Sequence, residues 1–444
     1  MARPEQSRSE RGSAEMRAAA RKIFDHALAE SSVARAFDRH LESSRSMLRV
    51  GEDLYDLSSY SRTFVVAFGK AAHTMAESLV RIVGGTLAGI VVAPTAPQTQ
   101  LQGFRYFQGG HPLPNAESLR AGAAILRSLN LHTAKSLVLF LISGGGSSVV
   151  EKPVDADITL EDLVATNRAL VHCGAPIAEI NAIRKHLSLI KGGRMALAAA
   201  PAQQVSIMVS DVPAGALDSL ASGPTLPDSS TVDDCYRIAH EYDLLAHLPQ
   251  SVKDLFTSRS LEETPKGSDP AFQRSRYWPI LDTSSLLKAA AEQATLAGFA
   301  VEIDNSCDDW DYARAADHLL ARLRELRKGV SKVCLISGGE VTVKVKDGGR
   351  GGRNQHFALY CAQKIAGENI AVLSAGTDGI DGNSPAAGAI VDGTTVARAH
   401  AAGIDPRTAL RKFDAFPLFN QLEDAIMIGP TGNNIRDLRV LLAS

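Results

Sequence analysis

Short apolar runs of strand length recur along this chain, and a helical pattern follows most of them. The runs consist almost entirely of Val, Ile, Leu and Phe, which is typical of parallel strands that are buried on both faces. They cover residues 64–69, 88–94, 137–145, 205–211, 333–339 and 370–379. Helix candidates between them include residues 115–130 and 311–329, the latter with apolar residues three and four positions apart. The alternation predicts an α/β fold.

The chain is long enough for more than one domain. Its 444 residues favour two or three. A polar segment with Pro and Ser, residues 257–275, is the best linker candidate, because an αβ pattern restarts at Tyr277. We therefore predict a disordered tail over residues 1–15, an α/β domain over 16–256, a linker over 257–275 and a smaller α/β domain over 276–444.

Charge and composition argue against several classes of protein. A net charge of -2 and a pI near 6.6 offer no field that would gather nucleic acid. The N-terminus lacks the apolar core of a secretory signal and no 18 apolar residues run together, so the sequence predicts a cytoplasmic protein without membrane spans. The five cysteines are scattered and never form a C-x-x-C pair, which favours core thiols over disulfides or zinc ligands.

Glycine, serine or aspartate ends nearly every apolar run. Residues 143–148 read Ser-Gly-Gly-Gly-Ser-Ser, and residues 335–339 repeat the Leu-Ile-Ser-Gly-Gly of residues 141–145. In open α/β sheets ligands bind at the carboxyl ends of strands, where glycine lets backbone N–H groups approach an anion. Any one of these loops is explained equally well as a tight turn. Five such loops in one chain favour an anion-binding site.

Lysine and arginine residues lie beside glycine in this sequence, and the motifs of several common enzyme classes are absent. The sequence contains no G-x-x-x-x-G-K-[ST], G-x-G-x-x-G, G-x-S-x-G or H-E-x-x-H. It does contain Lys70 in FGKAA, Arg184 in NAIRKHLSLIKGGR and Arg353 in KDGGRGGRNQ, with Asp211 and Asp378 at other strand ends. Cations that spread phosphoryl charge and carboxylates that hold magnesium fit a polyphosphate. The pattern predicts phosphoryl transfer.

Simpler interpretations stay open for each of these residues. Lys70 could be an exposed first-turn lysine, and the cations from 184 to 194 could be the solvated face of a helix, which is the favoured interpretation for Lys185 alone. Residues 353–355 either cap the following helix or bind a ligand. His111 in GGHPLPNAES is as consistent with a structural histidine as with a substrate contact.

The ordered motifs resemble the glycerate 2-kinase family, the class II glycerate kinases with a C-terminal MOFRL domain, from about Arg17 to Leu442. The motifs are VAFGKAA, GGHPLPNAES, LISGGGSS, INAIRKHLSLIKGGRMA, LASGPTLPD, ISGGEVTVKV, GGRGGRNQ, SAGTDGIDG, AAGAIVD and GPTGNN. The resemblance implies a Rossmann-like parallel-sheet N-terminal domain and a smaller α/β C-terminal domain, with the active site in the cleft between them. It also implies ATP- and Mg²⁺-dependent transfer to the 2-hydroxyl of D-glycerate, giving 2-phosphoglycerate.

The resemblance and the patterns together assign the site. Lys70 and Arg353 are the expected catalytic residues, and Asp211 and Asp378 are expected to act as magnesium ligand and catalytic base in an order that is left open. The expected substrate contacts are His111, Asn181 and Arg184. The expected ATP-binding residues are Ser143, Gly144, Gly145, Gly146, Ser147, Ser148, Gly338, Gly339, Glu340 and Asn354.

Three departures from the family pattern leave alternatives open. Acidic residues expected after Val212 and after Gly382 are replaced by segments that contain Gly215 and Pro385, and a Gly-Ser-Asn appears as residues 281–283, Leu-Asp-Thr. A related sugar-acid kinase or a non-catalytic binder therefore remains an alternative. An NAD(P)H-dependent hydroxypyruvate reductase is another, although the missing G-x-G-x-x-G argues against it. The oligomeric state is left open, a homodimer included.

Overall fold

Two compact units make up the described chain. The computed structural model describes residues 8–85, 87–213, 215–345 and 348–444. The central unit is Ala36–Ile280, and the terminal unit combines the described residues up to Arg35 with Leu281–Ser444. The α/β organisation that the sequence predicts is confirmed.

The helices and strands are numbered in chain order. The helices are α1 Arg8–Glu30, α2 Val33–His40, α3 Ala72–Val83, α4 Ala116–Leu129, α5 Gly146–Val149, α6 Leu160–His172, α7 Ile177–His186, α8 Arg194–Ala199, α9 Val232–Glu241, α10 Gln250–Thr257, α11 Thr283–Leu296, α12 Tyr312–Arg327, α13 Arg353–Lys364, α14 Thr395–Ala401, α15 Pro406–Arg411 and α16 Ala415–Gln421. The strands are β1 Leu41–Ser44, β2 Met47–Val50, β3 Asp53–Asp56, β4 Arg62–Phe68, β5 Ala88–Ala93, β6 Phe104–Gln108, β7 Ser136–Ser143, β8 Gln203–Val209, β9 Ser275–Leu281, β10 Ala300–Ile303, β11 Val333–Gly338, β12 Ile370–Gly376, β13 Gly388–Asp392, β14 Ala425–Ile426 and β15 Asp437–Ala443.

The central unit is built on a six-stranded sheet in the order β6-β5-β4-β7-β8-β9. Strands β6, β5, β4, β7 and β8 pair in parallel, and every residue of β7 is buried, as the uninterrupted apolar run predicts. Phe68 pairs with Ile142, and Ser143 pairs with Val209. The carboxyl ends of β4, β7 and β8 are therefore neighbours at one edge of the sheet. A small antiparallel sheet, β1-β2-β3, lies outside it.

The terminal unit contains a mixed sheet in the order β10-β11-β15-β12-β13-β14. Strands β10 and β11 pair in parallel, whereas β15 runs antiparallel to both of its neighbours, β11 and β12. Since β15 starts where those two strands end, Gly338 pairs with Leu438 and Gly376 pairs with Asp437. The start of the last strand thus lies at the same sheet edge as two glycine-containing loops.

The predicted linker over residues 257–275 is wrong, because this segment packs within the central unit. Thr264 is buried and donates a hydrogen bond to Asp228 at 2.9 Å. Arg194 donates to the carbonyl of Glu262 at 3.1 Å, and the chain then enters β9 of the central sheet. Its polar residues serve internal hydrogen bonds rather than solvent. The division between the units falls at Leu281 instead of residue 276.

The N-terminal boundaries also differ from the prediction. Helix α1 begins at Arg8, so residues 8–15 are helical, while residues 1–7 of the predicted tail lie outside the described residues. The helix has a buried apolar stripe at three- and four-residue spacing: Met16, Ala20, Ile23, Phe24 and Ala27. It belongs to the terminal unit, so the predicted domain over 16–256 loses its first segment to the other unit.

Two further expectations concern the thiols and membranes. All five cysteines are free thiols, and four of them are buried. Among the described helices, none combines the length and the apolar character needed to cross a membrane.

Candidate active site

Lys70 follows β4, and its turn is fixed to the turn that follows β7. The backbone N–H of Lys70 donates to the carbonyl of Gly144 at 2.9 Å, and the N–H of Ala71 donates to Ser143 Oγ at 3.0 Å. Gly69 has a φ of 115°, and a Cβ there would lie 2.4 Å from the carbonyl oxygen of Ser143. Glycine at this position is what allows the two strand ends to approach so closely.

Gly145 lies between Lys70 and His111. It has a left-handed φ of 79°, and a Cβ there would lie 3.0 Å from the His111 ring and 3.2 Å from Lys70 Cγ. Partial burial lowers the pKa of His111, and the Lys70 ammonium lowers it further. The imidazole is therefore neutral near pH 7 and able to donate or accept a hydrogen bond.

Asp211, after β8, packs against Gly144. A Cβ on Gly144 would lie 1.8 Å from Asp211 Oδ2, far inside van der Waals contact. Only glycine therefore lets the carboxylate lie where it does. The structure thus brings Lys70, Asp211 and the glycine loop together at three neighbouring strand ends.

The loop after β7 leaves backbone donors available. Gly145 precedes the short helix α5, and the N–H groups of Gly145, Gly146 and Ser147 donate to no acceptor in the part of the chain that the structure describes. The Ser147 hydroxyl is hydrogen-bonded to Ser222 at 2.8 Å, and Ser148 Oγ donates to the Gly145 carbonyl at 3.3 Å. Successive free N–H groups of this kind are typical of anion-binding loops.

A cavity of about 150 Å³ adjoins this loop. His111, Ser147, Ser148 and Arg184 all line it, so two of the three predicted substrate residues meet there. Arg184 Nε donates to Asn167 Oδ1 at 2.9 Å; burial lowers the pKa of Arg184, and the nearby Glu151 opposes that effect. Asn181 is buried one helical turn before Arg184 on α7 but is not among the described residues that line the cavity.

A buried ion pair that sequence analysis did not predict also lines the cavity. Lys191 Nζ donates to Glu151, and Ser188 Oγ donates to the same carboxylate at 2.5 Å. Burial lowers the pKa of Lys191, and Glu151 opposes that effect. Lys191 was visible as part of a basic cluster, but its acidic partner is forty residues away and gives no local signal.

Lys185 corrects the interpretation of the same cluster as a solvated helix face. It is buried, and its ammonium donates to Asp218 at 3.1 Å and to Asp228 at 3.0 Å. Burial alone would raise the pKa of Asp228, but Lys185 and two hydroxyl donors lower it overall. The residue is a structural cation of the central unit.

Arg353 in the terminal unit is held by two carboxylates. Its Nε donates to Asp437 Oδ2 at 2.7 Å, and Nη2 donates to Asp437 Oδ1 at 3.0 Å and lies 2.8 Å from Glu340 Oε1. Burial alone would lower the pKa of Arg353, but these carboxylates raise it overall. Sequence analysis missed Asp437, which stands at the start of an apolar strand without any motif around it.

The second Ser-Gly-Gly loop is occupied by side chains of its own unit. The N–H of Gly338 donates to Asn305 Oδ1 at 3.0 Å, and the N–H of Glu340 donates to Asp308 Oδ1 at 3.0 Å. The buried guanidinium of Arg439 donates to the carbonyls of Gly338 and Gly339, at 3.2 and 2.9 Å. The repeated sequence therefore offers fewer free donors here than after β7.

Residues 353–355 begin α13, and Asp381 caps that helix from outside it. Asp381 accepts from the N–H groups of Asn354 at 3.1 Å and Gln355 at 2.9 Å. Burial raises the pKa of Asp381 to about 6. Asn354 Oδ1 accepts from Ser374 Oγ at 2.6 Å, so the side chain predicted to bind ATP has partners within its own unit.

Asp378 and Asp437 both approach Gly376. Their Oδ1 atoms lie 3.2 and 3.4 Å from where a Cβ of Gly376 would be. The described residues contain no group of three or more His, Cys, Asp or Glu that could hold a metal ion. Magnesium is usually held by one or two carboxylates together with phosphate and water, so Asp378 and Asp211 both fit as single ligands.

The two segments that replace the expected acids differ in their surroundings. Asn383 accepts from the N–H of Gly351 at 2.9 Å and donates to the carbonyl of Gly349 at 3.0 Å. It thereby holds the glycine-rich loop before α13. Gly215 and Pro385 are exposed, and a Cβ on Gly215 would meet no atom within 4 Å.

Glycine-rich strand ends that carry a lysine, arginines and carboxylates are typical of α/β enzymes that bind anions. Residues 19–257 match the domain of unknown function DUF4147, and residues 333–437 match the MOFRL family. The chain belongs to the glycerate 2-kinase family with a C-terminal MOFRL domain.

Curated relatives and solved structures agree with this assignment. A D-glycerate 2-kinase of Thermotoga maritima is 36% identical over 384 residues, which cover 85% of this chain and 89% of that protein. A putative hydroxypyruvate reductase of Agrobacterium vitis is 36% identical over 386 residues, which cover 86% of this chain and 99% of that protein. The crystal structure of a glycerate kinase from Thermotoga maritima matches with a TM-score of 0.84 and 32% identity, over 97% of this chain and all of the other.

Proposed function

We propose that this protein is an ATP- and Mg²⁺-dependent kinase that phosphorylates the 2-hydroxyl of D-glycerate to give 2-phosphoglycerate. The observation that carries the proposal is the cluster at the ends of β4, β7 and β8, where Lys70 and Asp211 lie against the glycine loop, and that loop lines a cavity together with Arg184. The name D-glycerate 2-kinase of the Thermotoga maritima relative supports the choice of acceptor.

The phosphate side of the reaction uses the loop after β7. The free N–H groups of Gly145, Gly146 and Ser147 bind phosphate oxygens, and the Lys70 ammonium stabilises the charge that spreads over the transferring phosphoryl group. Ser143 Oγ and the carbonyl of Gly144 accept hydrogen bonds from the turn that carries Lys70, so these two residues position Lys70. Rigid donors of this kind stabilise charge without reorganising during the reaction.

The acceptor side uses the cavity. Arg184 binds the carboxylate of the acid, because a guanidinium matches the two carboxylate oxygens with two parallel hydrogen bonds. Neutral His111 faces the same space and can hydrogen-bond to a hydroxyl group. One of Asp211 and Asp378 accepts the 2-hydroxyl proton and the other holds magnesium. Magnesium, when bound, neutralises charge on the ATP phosphates.

Arg353 acts with Lys70 on the same phosphoryl group in this proposal. The hydrogen bonds to Asp437 fix the guanidinium in one orientation, and a third of the side chain stays exposed, at 34%. An arginine that needs no reorganisation is suited to stabilising a transferring phosphoryl group.

The test is an ATP-consumption assay with Mg²⁺ across D-glycerate, L-glycerate and related hydroxy acids. We expect turnover with D-glycerate, and a loss of turnover in Lys70→Ala and Arg353→Ala. The melting temperature should stay unchanged in Lys70→Ala and fall in Arg353→Ala, because Asp437 then stays buried without its cation. Lys135→Ala and Arg407→Ala are matched controls, because both residues are exposed and have no assigned role. ATP consumption near the wild-type rate in either site variant would refute that residue's role.

A parallel assay distinguishes the alternatives. The name of the Agrobacterium vitis relative makes hydroxypyruvate reduction the second candidate. Oxidation of NADH or NADPH with hydroxypyruvate, without ATP consumption on glycerate, would establish the reductase instead. Binding of ATP and D-glycerate without turnover would establish a non-catalytic binder. A cytoplasmic location stays a prediction from the sequence.

A further inference from the structure

Arg436 lies directly before β15 in a backbone conformation that is rare for arginine. Its φ of 76° is left-handed, which is unfavourable for a residue with a Cβ and persists only where the surrounding structure fixes it. The residue is 6% exposed, so its guanidinium lies inside the terminal unit. The next residue is Asp437, which accepts two hydrogen bonds from Arg353. A strained residue therefore adjoins the carboxylate that holds Arg353.

The side chain of Arg436 is paired with Asp308. Its Nη1 donates to Asp308 Oδ2 at 2.6 Å, and its Nη2 donates to Oδ1 at 2.6 Å. Two parallel hydrogen bonds of this kind fix both distance and orientation. Asp308 Oδ1 also accepts from the N–H of Glu340 at 3.0 Å, and Glu340 Oε1 lies 2.8 Å from Arg353 Nη2. The pair is therefore linked to Arg353 through Asp437 on one side and through Glu340 on the other.

The loop after β11 leaves room for the Asp308 carboxylate. Gly339 has a φ of 90°, and a Cβ there would lie 2.6 Å from Asp308 Oδ1, which is closer than van der Waals contact. Burial alone would raise the pKa of Asp308, but the Arg436 guanidinium and backbone N–H donors lower it overall. The carboxylate is therefore charged near pH 7 and forms an ion pair with Arg436.

The backbone of Arg436 reaches a third strand end. Its carbonyl accepts from the N–H of Thr377 at 3.0 Å and from Thr377 Oγ1 at 2.8 Å. Thr377 precedes Asp378, one of the two acids proposed as magnesium ligand and base. The left-handed turn at Arg436 thus directs its carbonyl to the end of β12 while its side chain reaches Asp308.

We propose that Asp308 and Arg436 are positioning residues for phosphoryl transfer, which hold Glu340 and Asp437 where their carboxylates orient Arg353. The proposal rests on the proposed function, in which Arg353 stabilises the transferring phosphoryl group. A displacement of about 1 Å at such a group can cost about a hundredfold in rate. The pair therefore contributes to kcat without contacting substrate.

Asp308→Asn removes the negative charge of the pair at nearly constant size. We expect kcat with D-glycerate to fall at least about tenfold, and the KM for D-glycerate to stay unchanged, because Arg184 binds the acceptor carboxylate. Arg436→Gly should lose as much kcat, since glycine suits the left-handed φ and only the guanidinium is removed. Asp304→Asn is the matched control, because Asp304 lies in the same segment after β10 and pairs with His318 at 2.8 Å. Its kcat should equal that of wild type.

A double-mutant cycle separates positioning from a general effect on the fold. In an Arg353→Lys background, which has already lost the paired hydrogen bonds to Asp437, Asp308→Asn should cost little further kcat. Rates are measured well below the melting temperature of each variant, so that unfolding does not contribute. The same additional loss with and without Arg353, or wild-type kcat in Asp308→Asn, would overturn the proposal.

The ¹⁵Nε–¹H NMR signal of Arg353 tests the pair without any turnover. Arg353→Lys assigns the signal, because that variant lacks it. Wild type should show a sharp signal, since Nε donates to Asp437 at 2.7 Å, and Asp308→Asn should broaden the signal or move it to the position of exposed arginines. A changed signal supports the positioning pair even if the protein does not phosphorylate D-glycerate. An unchanged signal contradicts the pair even if the protein proves to be a kinase.

Discussion

Replacing Gly144 with alanine should disable the site while leaving the central unit folded. The added Cβ would lie 1.8 Å from Asp211 Oδ2, whereas ordinary van der Waals contact begins at 3.4 Å, so the carboxylate must retreat by about 1.6 Å. A displacement of about 1 Å at a catalytic group can cost about a hundredfold in rate. We therefore expect kcat to fall at least about a hundredfold.

The loss should come from displacement of the carboxylate rather than from unfolding. Gly144 does not have a positive φ, so alanine introduces no backbone strain there. Asp211 is only partly buried and can swing toward solvent. Gly267→Ala is a matched control, because a Cβ there meets no atom within 4 Å. The assay is ATP consumption with D-glycerate beside a thermal unfolding curve for each variant.

A double-mutant cycle isolates the cause. If the clash with Asp211 accounts for the loss, Gly144→Ala should cost little further activity in an Asp211→Ala background. Wild-type kcat in Gly144→Ala, or the same additional loss with and without Asp211, would refute the reasoning.

Three further predictions concern charged residues. Asp437→Asn should release Arg353 and lower kcat at least about tenfold in the ATP assay. An unchanged kcat would contradict this. The pKa of Asp381 is raised to about 6 from an ordinary 3.8, so the folded state binds this proton more tightly, and the resulting stabilisation is largest below pH 4 and lost toward pH 6. In denaturant unfolding between pH 4 and 7, the unfolding free energy of Asp381→Asn should lack this fall. The same pH dependence in Asp381→Asn and wild type would contradict the prediction. Lys185→Met should lower the unfolding free energy by about 3–5 kcal/mol in urea, because Asp228 would stay buried without its cation; a smaller loss than about 1 kcal/mol would contradict this.

The sequence predicts well those features that are local. All six apolar runs are strands, and residues 115–130 and 311–329 contain α4 and α12 between polar caps. Asn115 and Asp311 cap these helices, as their positions before the apolar pattern suggest. Likewise, the parallel order of β4, β7 and β8 brings Lys70, the glycine loop and Asp211 together because each ends a strand.

Partners distant in sequence could not be predicted. Glu151 pairs with Lys191, and Asp437 pairs with Arg353 across 84 residues, without any periodic signal around either acid. The same limit applies to α1, whose apolar stripe predicts a helix but not the unit that it joins.

Composition is a poor guide to structure where polar residues are buried. The segment 257–275 has linker-like residues, yet Thr264 and the carbonyls beside it bond to buried charged side chains. Conversely, the repeat of Ser-Gly-Gly suggested two equivalent anion loops, whereas side chains of Asn305 and Asp308 accept from the second loop. Identical backbone motifs differ in function when their surroundings supply different partners.

The most direct test measures kcat with D-glycerate and ATP for Lys70→Ala, Arg353→Ala and the double variant. If both residues act on one phosphoryl group, each single change should remove nearly all turnover, and the double variant should lose little more than either. Losses that multiply independently, or a single variant that retains wild-type turnover, would contradict a shared site.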